Sequence, residues 1–184
     1  GVPDGTTYAL IPNGHKATVD AQAQCRSLTI EPEAIVSVAE EKQLTVNQLI
    51  IKSKRDTHTT GILINQGHVN VIEEARIEKY IPPISWTSLS PPVSDATAEV
   101  LNAREEELFQ WSDQQGGFVR INDNNTPMIP MKGYLYRKQT SDTLIEFRGT
   151  LNQGRLNHQI TINQTDTLYR GWNYVGNPYA APLD

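Results

Sequence analysis

The stretch "SLTIEPEAIVSV" (27–38) is answered shortly afterwards by "QLTVNQLIIKS" (43–53). In each, apolar and polar residues alternate, the period-two signature of a strand with one buried face. Leu28 matches Leu44 at an offset of 16, and steps of 18 outward bring Leu10 and Ile62 into line. A second set of apolar centres, Val19, Val36, Ile51 and Val69, lies between the first. Each unit thus holds two short strands with turns between them. Units that stack so that each covers the apolar face of the next form a β-solenoid. That reading expects Leu10, Leu28, Leu44 and Ile62 in one column. A meander of hairpins also gives short strands at regular spacing, and it stays open beside the preferred solenoid.

Working outward, "KYIPPISWTSLSPPVSDAT" (79–97) is the best boundary. Four prolines interrupt any ladder, because proline offers no N–H. The pairs Pro82-Pro83 and Pro91-Pro92 stiffen the junction, while "ISWTSL" between them reads as an edge strand. The expected division is a solenoid over 1–80 and an antiparallel β-sandwich over 81–184.

The second part is a series of hairpin signals. "ELFQWSDQQGGFVRI" reads as two strands around Gly116-Gly117, where glycine supplies φ > 0 without steric cost. "KGYLYRK" reads as a strand with Tyr134 and Tyr136 on one face. "TLIEFRGTLNQGRLNHQITI" reads as two more strands turning at Asn152-Gln153-Gly154. "SDATAEVLNAREEELF" is the one candidate helix, with Asp95 as its cap.

Bulk properties narrow the function. The 184 residues carry 16 basic and 21 acidic side chains, net charge −5. A nucleic-acid binder normally presents a basic face, so that class is disfavoured. No apolar run reaches the roughly 18–20 residues a membrane helix needs, so no membrane insertion of this segment is expected. A lone Cys25 forms no internal disulfide and no thiolate metal cluster. It is read as a small buried filler. A start at Gly1-Val2-Pro3 without Met reads as processed or engineered, and an export signal already cut away is consistent with it.

The ending "GWNYVGNPYAAPLD" (171–184) is similar to the "GWNLVGNPYPSPIDW"-like ending of a module found in exported proteins of Bacteroidetes. The resemblance continues upstream in order, through "SLTIEPEAIVSVAEEKQLTVNQLIIKS", "KYIPPISWTSLSPPVSDAT", "LFQWSDQQGGFVRI", "MIPMKGYLYRK" and "TLIEFRGTLNQG". It spans the chain from about residue 8 to the end. Ala180-Ala181 departs from the pattern where proline and serine are common. The resemblance implies an extracellular module within a longer chain, often ahead of a secretion and sorting domain. It assigns no catalytic residue. "DTL" at 142–144 and 166–168 resembles the O-glycosylation acceptor of exported proteins of that phylum, which marks Thr143 and Thr167.

Chemistry-bearing motifs are sparse. His15, His58, His68 and His158 make no HxH or HExxH pair, so no metal site is assigned. Nucleophile-elbow, P-loop and dinucleotide fingerprints are absent. The glutamates at 73, 74, 78 and 105–107 read as solvated charge rather than a glycosidase pair, and "NDNNTP" (122–127) as an Asx-rich turn. No catalytic residue and no cofactor is expected. Aromatics remain, since a flat apolar ring with a polar handle can fill a core or stack on a sugar. Phe109 with Trp111, and Tyr134 with Tyr136, are expected in the sandwich core. Trp172 is expected to plug that core from a final strand. The rival reading makes Trp86, Trp111, Trp172, Tyr174 and Tyr179 a ligand platform.

The sequence therefore reads as an all-β, secreted or cell-surface module of structural or adhesive function and no enzymatic activity. Its partners would be polysaccharide or other surface proteins. A carbohydrate-binding module of a glycan-processing protein is the alternative.

Overall fold

The computed structural model describes residues 3–102, 107–138, 141–162 and 168–182. Seven strands come first: β1 (Tyr8–Ile11), β2 (Lys16–Val19), β3 (Ala23–Ile30), β4 (Ile35–Val38), β5 (Gln43–Ile51), β6 (Ile62–Asn65) and β7 (His68–Ile81). They alternate between two parallel walls, β1-β3-β5-β7 and β2-β4-β6. This is a short β-solenoid.

Its turns explain why the chain coils. Residues 12–15, 31–34 and 39–42 each close with an N–H from the fourth residue to the carbonyl of the first, at 3.0–3.1 Å. The third residue of each is left-handed, with φ of 70° at Gly14, 64° at Glu33 and 60° at Glu41. Positive φ at that place is the type II pattern, and Pro32 pre-sets the residue before it. Asn13 donates from Nδ2 to the Pro32 carbonyl at 2.7 Å, tying one turn to the next.

The apolar columns differ from the expected one. Ile11, Ile30, Ile51 and Ile77 stand in register, 19, 21 and 26 residues apart. Ala9, Leu28, Leu49 and Ala75 form a second column, and Ala23, Leu44 and Val69 a third. Leu10 pairs with Thr29 and is 56% exposed, and Ile62 belongs to the other wall, beside Ile35. The likeness of Leu28 and Leu44 reflects a shared strand pattern, not a shared rung: β3 and β5 are offset along the coil, so Leu28 faces Leu49. The longer last step accommodates residues 52–61, a protruding turn closed by the Ser53–Thr60 bridge.

Chain 81–182 adds β8 (Thr87–Leu89), β9 (Leu108–Ser112), β10 (Gly117–Arg120), β11 (Tyr134–Tyr136) and β12 (Thr143–Gly149). Strands β10-β9-β11-β8 form an antiparallel sheet with β8 at its edge, as the proline-flanked position predicts. β12 instead pairs antiparallel with β7, joining the solenoid wall. Leu89, Leu108, Tyr134 and Tyr136 point inward, and with Ile81, Ile145 and Leu151 they continue the solenoid core as one apolar cluster.

Three local expectations are corrected. The candidate helix is only a 3-10 turn, Ala98–Leu101, with no side-chain cap. Asp95 accepts a hydrogen bond from the Thr150 N–H at 3.0 Å instead. Residues 103–106 lie outside the described residues, and Leu108 already begins β9. The stretch after Gly154 forms no strand among the described residues. "GWNYV" is not a strand either: it meets the sheet through a single bridge, Lys132 to Val175.

Candidate functional site

The hairpin β9–β10 places Phe118 opposite Trp111 and Arg120 opposite Phe109. Strand alternation then sends Phe109, Trp111 and Phe118 to one face of the sheet, and Leu108, Tyr134 and Tyr136 to the other. The two tyrosines are fully buried. Burial pushes the Tyr136 hydroxyl up to about 12, with the nearby Glu107 adding to the effect. The outward face stays partly open to solvent, so the pair Phe109–Trp111, expected in the core, lies outside it.

The C-terminal segment lies across that outward face. Gly133 donates its N–H to the Tyr174 carbonyl at 2.8 Å, and Gly176 donates to the Met131 carbonyl at 2.8 Å. Gly133 is needed for this approach, because a Cβ there would stand 2.6 Å from the Tyr174 ring. The Tyr174 hydroxyl shares a hydrogen bond with Ser88 Oγ of β8.

Five rings meet as a result. Trp111 touches Phe118, Tyr169 and Trp172 at centroid separations of 5.4, 5.8 and 6.1 Å. Phe118 meets Tyr174 at 5.1 Å, and Tyr169 meets Trp172 at 6.0 Å. Most of these contacts are edge-on, the geometry favoured by the ring quadrupole. On the same sheet Trp86 packs on Phe109 at 5.6 Å, under the Arg137 guanidinium at 5.5 Å. Trp172 remains 62% exposed and Trp86 47%. Trp172 therefore does not plug a core; its segment is held above the sheet rather than in it.

A hollow of about 160 Å³ opens beside these rings. Trp111 and Tyr174 line it together with Asp113, Lys132, His158 and Asn173. Lys132 donates to Gln110 Oε1 at 2.7 Å, and burial holds its ammonium below its ordinary value against the opposing pull of Asp113. Asn173 is fixed by exchanging hydrogen bonds with the Thr161 backbone at 2.9 and 3.1 Å. The indole N–H of Trp111 is buried without an acceptor among the described residues, an arrangement proteins mostly avoid.

Of the five aromatic residues read as a platform, Trp111, Trp172 and Tyr174 come together, and Trp86 sits further along the sheet. Tyr179 does not join them. Its hydroxyl donates to the Gly154 carbonyl at 2.7 Å, pinning the tail to another part of the molecule. Phe118 and Tyr169 belong to the cluster and were missed. The register of the Gly116-Gly117 hairpin could have revealed Phe118; nothing in the sequence brings Tyr169 to Trp111.

A scan against family models matches residues 1–184 to one described as Domain of unknown function (DUF8693). The chain belongs to that family. No curated protein and no solved structure matches it.

The other candidates in this DUF8693 chain occupy structural positions. Glu73 accepts from Asn47 and Gln48, and Glu74 pairs with Arg76. Glu78 accepts from Lys52 Nζ at 2.8 Å and from the Ser53 N–H at 3.1 Å. Glu107 is buried against Lys138; residues 105 and 106 lie outside the described residues. Asp123 closes an Asx turn by accepting from the Asn125 N–H at 2.8 Å. Cys25 is buried in the Val46–Val71 column, and burial raises its thiol. Thr143 opens β12, partly buried, while Thr167 lies outside the described residues.

Proposed function

We propose that this chain is a non-catalytic module that binds carbohydrate on the outward face of its antiparallel sheet, within a larger secreted or cell-surface bacterial protein. The observation that carries the reading is the exposed Trp172, backed by Trp111 and Tyr169, beside a hollow rimmed with polar groups. A sugar ring has apolar C–H faces and a belt of hydroxyls. It calls for a flat ring underneath and donors and acceptors around it. Trp172 and Trp111 offer the first; Asp113, Lys132, His158 and Asn173 offer the second. A hollow of about 160 Å³ is smaller than the roughly 300–1,000 Å³ of enclosed small-molecule sites, so a glycan would lie over it rather than inside it. The location outside the cell rests on the resemblance to exported Bacteroidetes modules. An adhesive role is compatible, since adhesion would act through this same face.

A purely structural role draws on a different observation: the rings also pack edge-on with one another and hold the C-terminal segment down. Tryptophan fluorescence, titrated with neutral and acidic soluble polysaccharides, decides between the two. The expected result is a saturable change with at least one of them, weakened about tenfold or more in Trp172→Ala, as for loss of a central aromatic anchor. No change with any polysaccharide leaves only the structural role.

A further inference from the structure

A cavity of about 590 Å³, larger than the aromatic hollow, lies elsewhere in the molecule. It lies between the end of the solenoid, the edge strand β8 and the C-terminal tail. Ile62, Ile77, Leu89, Phe147 and Val175 give it apolar walls. Two charged residues line it, Glu78 and Lys79. The Glu78 carboxylate is already held by Lys52 and the Ser53 N–H.

Lys79 is the anomaly. Along β7, Ala75, Ile77 and Ile81 face the core, and alternation puts Lys79 on their side. Lys79 itself is partly buried, and its cross-strand neighbour Ile145 is buried. A charge drawn partly out of water is usually paired. Here no hydrogen bond or ion pair ties its ammonium to a described residue, and burial alone pushes it below its ordinary value. Ser90 also lines the cavity, and its hydroxyl is buried with no hydrogen-bond partner among the described residues. A chamber with apolar walls, one uncompensated cation and one spare hydroxyl matches a ligand with an apolar body and a single negative head. Its volume falls in the range of small-molecule sites, roughly 300–1,000 Å³.

We propose that this cavity is a binding site for a small amphipathic carboxylate, whose anionic head pairs with Lys79 and bonds Ser90, and whose apolar chain lies against Ile77, Leu89 and Phe147. The site shares no lining residue with the aromatic hollow, so it stands or falls apart from carbohydrate binding.

Isothermal titration calorimetry with octanoate, octylammonium and 1-octanol tests it. Octanoate binds saturably to one site, and the cation and the alcohol bind at least several-fold more weakly. Lys79→Met weakens octanoate about tenfold or more, as removal of a charged hydrogen bond predicts, whereas Lys79→Arg preserves most of the affinity. Should Lys79→Met fail to fold by circular dichroism, the wild-type chain suffices. Its lysines are reductively methylated with a ¹³C label, and the Lys79 signal titrates at higher pH once octanoate is bound. Absence of saturable octanoate binding overturns the proposal. So does equal binding by folded Lys79→Met, equal binding of octylammonium, or a Lys79 signal that octanoate leaves unmoved.

Discussion

In the solenoid, Ile30 and Ile51 reach zero exposure stacked in one column, and Leu49 does so in another, between Leu28 and Ala75. In the four-stranded sheet, Tyr134 and Tyr136 are equally buried, but their opposite-face neighbours Trp111 and Phe118 stay partly in water. The solenoid covers strand faces with its own repeats, so aliphatic side chains of moderate size suffice. The sheet covers one face with the shared core and leaves the other to a loosely laid C-terminal segment. Large rings there gain from packing on each other without being fully enclosed. A surface built in that way keeps apolar area available to a ligand, whereas the closed columns keep none.

The comparison breaks most directly in the solenoid. Leu49 is fully buried between Leu28 and Ala75. Leu49→Ala should cost about 2–5 kcal/mol, the lost transfer energy plus that of the cavity left behind. Urea unfolding measures it. An unchanged midpoint would mean that the columns are not closed.

Next comes the buried side of the sheet. The hydroxyl of Tyr136 donates to the Leu101 carbonyl at 3.1 Å, and the group's folded value is raised from 10.0 to about 12. A raised value means that the folded state keeps the proton longer than the unfolded chain. Its contribution to stability is therefore complete below pH 10.0 and falls as pH climbs towards about 12. A shift of that size corresponds to about 2–3 kcal/mol. Lys52, raised first by its hydrogen bond to Glu78, adds a loss of the same sign at alkaline pH. The test is thus the difference between wild type and Tyr136→Phe. The variant is less stable at neutral pH but declines less steeply between pH 10 and 12. Parallel profiles for the two proteins would remove Tyr136 from the account.

What was legible in the sequence follows the same division. Alternation and turn formers announced the strands, the solenoid and the edge position of "ISWTSL". Alternation also paired Phe109 with Trp111, and Tyr134 with Tyr136. It states which residues share a face, not which face finds cover, and so it could not tell that one pair is core and the other surface. The rung length was misread because Leu28 and Leu44 share a local pattern while β3 and β5 are offset, and a protruding turn stretches the last step. Trp172 was misplaced because "GWNYV" alternates like a strand, yet two glycine-permitted hydrogen bonds lay it across the sheet. Lys79 was visible in principle, as a charge on the apolar side of Ile77 and Ile81. Its lack of a partner depends on long-range packing that no local pattern encodes.

The smallest effect sharpens the comparison best. Trp172 is 62% exposed but touches Trp111 and Tyr169. If its ring serves a ligand rather than the fold, Trp172→Ala should cost less than about 1 kcal/mol, because little of its surface leaves water on folding and exposed substitutions have small effects. The same urea titration used for Leu49→Ala measures this on one scale. A cost equal to that of Leu49→Ala would make the outward face a second core, closed by its own tail, and would take away the free aromatic area on which the proposed sugar binding depends. A small cost, with the near-ultraviolet circular dichroism of Trp111 and Phe118 altered, would show instead that the ring orders its neighbours without holding the chain together. That is the behaviour the sugar-binding proposal requires of this surface, which would release water and accept a ligand without unfolding.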